Sequence, residues 1–202
     1  MLLIRLLDIT ISLFSILICI PILLLITIIL FTFQGKPIFF KQNRTGKYLK
    51  PFNIYKFRTM RVGQEDKRGL TKGFNDKRIT PIGVFLRKYK LDELPQFYNI
   101  LKGDMSVVGS RPQVPYYTQK FMGYYKVILK EKPGLLSPAV FVYGNELQLL
   151  DKATDPIAYF EEILIPAKCK LDIALVKNFG IKKYLQTLFN FIFLNNKIKG
   201  SE

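Results

Sequence analysis

Histidine is absent from this chain. That excludes Ser–His and Cys–His nucleophile pairs and every histidine metal site. Only two cysteines occur, Cys19 and Cys169, far apart in the sequence. Thiols so separated make no zinc site and give no expectation of a disulfide. Acidic residues are scarce: 15 Asp and Glu stand against 31 Lys and Arg, a formal charge of +16. No Gly-rich Lys loop of the Walker kind occurs, which weakens a phosphotransfer reading built on that loop. Internal repeats and low-complexity linkers are also missing. Acid, base or nucleophile work therefore falls to carboxylates, Lys, Tyr or Ser, and the carboxylates are few enough to take pair by pair.

What is present begins with an uncharged apolar run over residues 9–33, interrupted by Pro21. At ~1.5 Å per residue the run is long enough for a hydrocarbon core of ~30 Å. Proline removes a backbone donor, and its ring strikes the carbonyl four residues back. The sequence thus predicts a break, and each half alone is too short to span. Arg5 precedes the run; Lys36, Lys41, Arg44, Lys47 and Lys50 follow it. Positive flanks stay on the cytoplasmic side. A straight span sends one basic flank across, whereas a re-entrant helix–break–helix keeps both inside. The re-entrant form is preferred to a plain span. It is also preferred to a cleaved signal peptide, for which the run is too long and lacks a small-residue cleavage site. Residues 1–35 are expected to be this anchor. Residues 36–202 are expected to be a compact cytoplasmic catalytic domain with one modest core. The positive charge suits phosphate-bearing partners, and an anchor favours membrane lipid or a nucleotide-linked substrate over nucleic acid.

Residues 38–42 and 52–57 read as two strands of a hairpin around a turn at 43–47. Residues 64–78 are a polar loop. Thr80-Pro81 opens a helix that carries Ile82, Phe85, Leu86 and Tyr89. Pro95 breaks it, and a second helix over 93–101 ends at Gly103. Residues 105–108 form a short strand, and Gly109-Ser110-Arg111-Pro112 a rigid turn. Further helices are expected at 116–130, 156–164 and after Pro166; residues 137–143 are an apolar, buried segment. The tail, 182–194, places Leu185, Leu188, Phe189, Ile192 and Phe193 on one broad face, suited to a bilayer surface or to a core. The fold class is α/β, mostly helical with a small β-hairpin.

The chemistry gathers at the helix break, Leu91-Asp92-Glu93-Leu94-Pro95. Taken alone, Asp92 is an N-cap. Arg87, Lys88 and Lys90 precede it, and a helix N-terminus attracts anions and lowers a carboxylate's pKa. An ionised carboxylate beside a phosphate site can attack phosphorus and form an acyl phosphate without a general base. Glu93 is a candidate ligand for Mg²⁺. Lys56 and Arg58 end the second strand, and Arg111, fixed by Pro112, is suited to bidentate phosphate contact. Each of these cations alone reads as a surface charge; together they bracket one carboxylate pair.

Several stretches carry a family resemblance. They are Arg44-Thr45-Gly46, Lys56-Phe57-Arg58-Thr59-Met60, Thr80-Pro81-Ile82-Gly83, Leu91-Asp92-Glu93-Leu94-Pro95-Gln96, Leu101-Lys102-Gly103-Asp104-Met105-Ser106 and Val108-Gly109-Ser110-Arg111-Pro112. In that order they resemble the bacterial sugar transferases known as monotopic phosphoglycosyl transferases, over about residues 1–135. The resemblance implies that Asp92 attacks the β-phosphate of a UDP-sugar and releases UMP. A polyprenyl phosphate, usually undecaprenyl phosphate, then takes the phospho-sugar. It implies Glu93 as the Mg²⁺ ligand, Arg87 and Arg111 as phosphate contacts, and a place on the cytoplasmic face of a bacterial inner membrane, at the first membrane step of a surface glycan or glycoprotein pathway. Lys56, Arg58 and Pro112 complete the candidate substrate site. The chain departs from the family where Ser110 replaces the first proline of Pro-Arg-Pro, and where Leu135-Leu136-Ser137 follows Pro133-Gly134. It lacks the extra N-terminal spans of longer members and resembles the minimal form. The sugar, the glycan and the oligomeric state stay open, a homodimer included. The competing reading is a non-enzymatic basic protein of the membrane surface, which has no need of Asp92.

Overall fold

A computed structural model describes residues 1–64 and 68–193. The apolar run forms a single helix, α1 (Leu2–Gln34), with Pro21 inside it. Two helices with a break are expected from the sequence, but the helix runs through the proline. Its ~3 kcal/mol penalty is set against long Leu- and Ile-rich flanks that propagate helix from both sides. A hairpin follows, β1 (Phe39–Thr45) against β2 (Pro51–Phe57), antiparallel with Phe39 opposite Phe57 and Thr45 opposite Pro51. Its turn lies beyond Thr45 rather than at 43–47. Strand β1 runs on because Thr45 is buried, its N–H donating to the Gln113 carbonyl and its hydroxyl bonded to that of Thr118.

Helix α2 (Pro81–Lys88) starts as the sequence predicts, with the Gly83 N–H donating to the Thr80 hydroxyl. Gly83 is required there: a Cβ would come within 2.1 Å of the Thr59 carbonyl oxygen. A 3₁₀ turn, Leu91–Glu93, separates α2 from α3 (Gln96–Lys102), which ends on the left-handed Gly103. Strand β3 (Ser106–Val108) pairs in parallel with β4 (Gly134–Leu136). Between them the single helix expected over 116–130 is two, α4 (Pro115–Lys120) and α5 (Met122–Ile128), meeting at the non-helical Phe121.

The remainder is helical. Residues 137–143, expected as a buried apolar segment, form α6 (Pro138–Val142), with Ala139 and Val140 buried and Val142 exposed. Then come α7 (Glu146–Lys152), α8 (Pro156–Tyr159), α9 (Ile165–Val176) and α10 (Ile181–Phe193). A π turn, Phe160–Leu164, joins α8 to α9 without a stop. Pro166 lies just beyond it, and a proline that lacks an N–H favours such local unwinding. The largest core cluster includes Tyr117, Tyr125, Ile128, Leu150, Phe160 and Leu164. On α10, Tyr184 and Leu188 turn inward, while Leu185, Phe189, Ile192 and Phe193 are exposed. The expected single face is therefore divided, and Leu194 lies outside the described residues, as do 65–67 of the predicted loop.

Both ends of α1 are fixed on the same body. Ile4, Leu7 and Ile11 pack with Ile100, Met105 and Val107, whereas Ile26 and Leu30 pack with Phe57 and Leu86. Arg5 donates to the carbonyls of Ile100 and Leu101 at 2.6 and 2.5 Å, at the end of α3. Asp8 accepts from the Ser106 hydroxyl, the Val107 N–H and the Tyr184 hydroxyl at 2.9, 2.8 and 2.9 Å. At the far end, Arg58 donates to the carbonyls of Gln34 and Gly35. Between these ends Phe14, Leu17, Ile18 and Leu24 are exposed. By length and composition α1 is able to cross a membrane.

Candidate active site

The site is built on the 3₁₀ turn between α2 and α3. Lys90 enters it in the left-handed conformation, φ 54°. Asp92 lies inside the turn and caps nothing, so its expected place as an N-cap is corrected. The residue is 5% exposed, and its carboxylate accepts no hydrogen bond among the described residues. The low pKa expected from a helix N-terminus is corrected as well. Burial pushes Asp92 above the ordinary carboxylate range, Lys56 opposes that shift, and the charge of Glu93 adds to it.

Glu93 has the opposite surroundings. Lys56 Nζ donates to Oε1 at 2.7 Å, Arg111 Nη1 donates to Oε2 at 3.0 Å, and Arg111 Nη2 reaches Oε1 more closely. Burial works against its charge, but Arg111 and Lys56 hold Glu93 well below the ordinary range. The two adjacent carboxylates thus differ in state, one clamped and ionised, one buried and bare.

Arg87 reaches the site from the last turn of α2. Its Nε donates to the Thr59 hydroxyl at 2.8 Å and its Nη1 to the Thr71 hydroxyl at 2.6 Å. Arg44, on β1, donates to the Pro112 carbonyl at 3.0 Å and to Gln42 Oε1 at 2.5 Å. Burial, followed by the charge of Arg111, pushes Arg44 down to about 10. Neither Arg87 nor Arg44 forms an ion pair among the described residues. Two half-buried arginines held against neutral oxygens have positive charge left over for an anion.

The structure therefore gathers Asp92, Glu93, Lys56, Arg87 and Arg111. Arg58 is spent elsewhere: it is buried and bound to the end of α1, so its candidate role in substrate binding is corrected to anchoring. Pro112 is buried and contributes through its carbonyl, which takes Arg44. Missing from the sequence-derived site are Arg44, Thr59 and Thr71, and Glu146, which pairs with Lys168 and whose charge acts on Arg111. Arg44 and Thr59 lie within the quoted motifs, a usable signal. Thr71 sits in a polar loop and Glu146 in the divergent half, where nothing local marks them.

Among the described residues no three His, Cys, Asp or Glu side chains gather into a metal cage. Mg²⁺ commonly takes only one or two carboxylates and completes its shell with phosphate oxygens and water. The Asp92–Glu93 pair fits that donor set in kind. Both Glu93 oxygens already accept from cations, so a metal there shares or replaces one of those contacts.

Comparison with known proteins identifies the family of this chain. A putative undecaprenyl-phosphate N-acetylgalactosaminyl 1-phosphate transferase of Bacillus subtilis (strain 168) is 39% identical over 117 residues, 58% of this chain and 65% of that protein. A UDP-glucose:undecaprenyl-phosphate glucose-1-phosphate transferase of Klebsiella pneumoniae is 38% identical over 159 residues, 77% of this chain and 34% of its own length. The Escherichia coli (strain K12) protein of the same description is 34% identical over 173 residues, 84% and 37%. The chain thus spans under two thirds of the first of these relatives and about a third of the other two. The family model for bacterial sugar transferases matches residues 1–194, α1, the carboxylate turn and the divergent half together, so the chain belongs to the bacterial sugar transferase family.

Proposed function

We propose that this chain transfers a phospho-sugar from a UDP-sugar to a polyprenyl phosphate, undecaprenyl phosphate by analogy with its relatives, through a covalent intermediate on Asp92. The observation that carries the reading is the contrast within one turn. Asp92 is buried without a hydrogen bond, beside a Glu93 that is clamped by Lys56 and Arg111. A desolvated carboxylate that no donor stabilises is a stronger nucleophile once ionised, and entry of a diphosphate beside Arg87, Arg44 and Arg111 brings its target close.

In the first step an Asp92 oxygen bonds to the β-phosphorus, and the bond from that phosphorus to the bridging oxygen breaks. The electron pair leaves with UMP. In the second step a phosphate oxygen of the lipid bonds to the same phosphorus and the Asp92 carboxylate departs. Arg111 and Lys56, which hold Glu93 here, are placed to pass charge to phosphate oxygens as they enter. When bound at the carboxylate pair, Mg²⁺ would neutralise phosphate charge. The attachment of both ends of α1 to one body supports a re-entrant anchor, with residues 36–202 as catalytic domain on the cytoplasmic face of a bacterial inner membrane.

Intact-mass measurement tests the mechanism. With UDP-sugar and Mg²⁺ but no lipid, the wild type gains one phospho-sugar, and Asp92→Asn gains none. Normal turnover by Asp92→Asn would overturn the covalent route. A site for Mg²⁺ is overturned by full activity in excess EDTA.

A further inference from the structure

We infer that Glu146, held by Lys168, is the residue that reads the hydroxyl groups of the donor's sugar ring. The inference rests on the reading above and deepens it.

Glu146 opens α7, and Lys168 lies on α9. Lys168 Nζ donates to Glu146 Oε2 in a tight ion pair. The pair borders the carboxylate turn. The chain just before Glu146 lies against Lys90, since a Cβ on Gly144 would stand 3.9 Å from Lys90 Nζ. Lys90 is two residues from Asp92. The charge of Glu146 also acts on Arg111, Arg44 and Lys90, and so belongs to the same cluster.

The pair is not a plain staple between helices. Lys168 is the inner partner, with a side chain 9% exposed, and Glu146 the outer one at 27%. The ammonium stands 5.8 Å from the Phe160 ring centroid, which fixes it from behind. One Glu146 oxygen is thereby locked, while Oε1 accepts no hydrogen bond among the described residues. Burial works against the charge of Glu146, but Lys168, then Arg111 and Lys90, keep it ionised.

The occupant follows from charge. An ionised carboxylate repels phosphate, so the diphosphate belongs on the arginines and not at Glu146. A neutral group rich in hydroxyls suits it, because hydroxyls donate to a fixed anionic acceptor in charge-assisted hydrogen bonds. A rigid acceptor also discriminates, since an axial and an equatorial hydroxyl point in different directions. Sites built to bond a hydroxyl reject substrates that present none.

The test uses the purified full chain with Mg²⁺, undecaprenyl phosphate and four donors: UDP-glucose, UDP-galactose, UDP-N-acetylglucosamine and UDP-N-acetylgalactosamine. UMP release gives kcat/KM for each. UMP inhibition is measured alongside, because UMP carries no sugar. Glu146→Gln keeps the size and removes the charge; Lys168→Met keeps the length and releases Glu146. Losing one charged hydrogen bond should lower kcat/KM for the preferred donor roughly 10- to 100-fold, and for the others by less. The ranking of donors flattens while UMP inhibition does not weaken in either variant; loss of the Glu146 charge beside Arg111 and Arg44 can only tighten it. Equal losses for all donors, an unchanged ranking, or UMP inhibition that weakens in step would overturn the assignment and leave Glu146 a structural partner. A wild type that releases UMP from no donor would overturn the transferase reading itself, and this one with it.

Discussion

Asp8 and Asp92 are carboxylates buried almost alike, 2% and 5% exposed, and treated in opposite ways. Asp8 accepts three hydrogen bonds from three different parts of the chain: the hydroxyls of Ser106 and Tyr184 and the Val107 amide. Asp92 accepts none among the described residues and is surrounded by charges held on other partners. A buried carboxylate that accepts several donors, as Asp8 Oδ1 does, is stabilised and less available for reaction, because those lone pairs are already engaged. One left bare is costly to the fold and available for reaction. Burial alone distinguishes nothing here; the donor count does.

The contrast can be broken from either side, and the largest effect should come from Asp92. Asp92→Asn should lower turnover by about 10³-fold or more, as expected when a nucleophile is removed. Its thermal midpoint should hold or rise, since an amide costs less to bury than a carboxylate. Kinetics and thermal unfolding on the same sample read both.

Asp8→Ala should show the reverse. It orphans three buried donors and should cost about 2–4 kcal/mol in denaturant unfolding. The fraction that remains folded should still form the phospho-sugar adduct on Asp92. Equal losses of chemistry in both variants would dissolve the distinction.

A third buried acid sharpens it. Burial pushes Asp172 up to about 6, against a hydrogen bond from Ser137 and the charge of Lys168, and its Oδ1 has no hydrogen-bond partner among the described residues. The folded value lies above the unfolded one, so Asp172 favours the fold most when protonated. That contribution is complete below about pH 4 and lost as pH rises through 6. Asp172→Asn should therefore stabilise the protein at pH 8 by roughly 2 kcal/mol, an advantage that vanishes near pH 4. Chemical denaturation at the two pH values measures it.

The smallest effect concerns pH and rate. In the proposed mechanism Asp92 attacks only when ionised, and its pKa is raised, so adduct formation should fall on the acid side at a pH above the usual carboxylate value. Glu93→Gln removes a neighbouring negative charge and frees Lys56 and Arg111, which should move that acid limb downward in single-turnover measurements.

Much of the local structure was legible from residue chemistry. Thr80-Pro81 announces α2 through a cap and a preset φ, and Gly103 ends α3 for want of a Cβ. The motifs named Glu93, Lys56 and Arg111, which the fold joins through ion pairs next to Asp92. Pro21 does not end the helix, because a local clash is weighed against cooperative helix on both sides, yet both ends of α1 return to one body. Asp8 went unread: it lies just before the apolar run, and its partners lie as far as 176 residues away. Arg58 looked like a substrate ligand for the same reason, since nothing near it shows that the end of α1 returns to claim it.

That claim on α1 has a kinetic consequence. Arg5 holds one end of the helix and Arg58 the other, so α1 and the carboxylate turn are tied to the same body. In the proposed membrane setting, Asp92 then keeps a constant height above the lipid plane. Meeting a lipid-borne acceptor becomes a search in two dimensions. Its rate follows the number of acceptor molecules per unit of membrane area, so diluting the acceptor with inert lipid slows the second step even when the amount in the tube is unchanged.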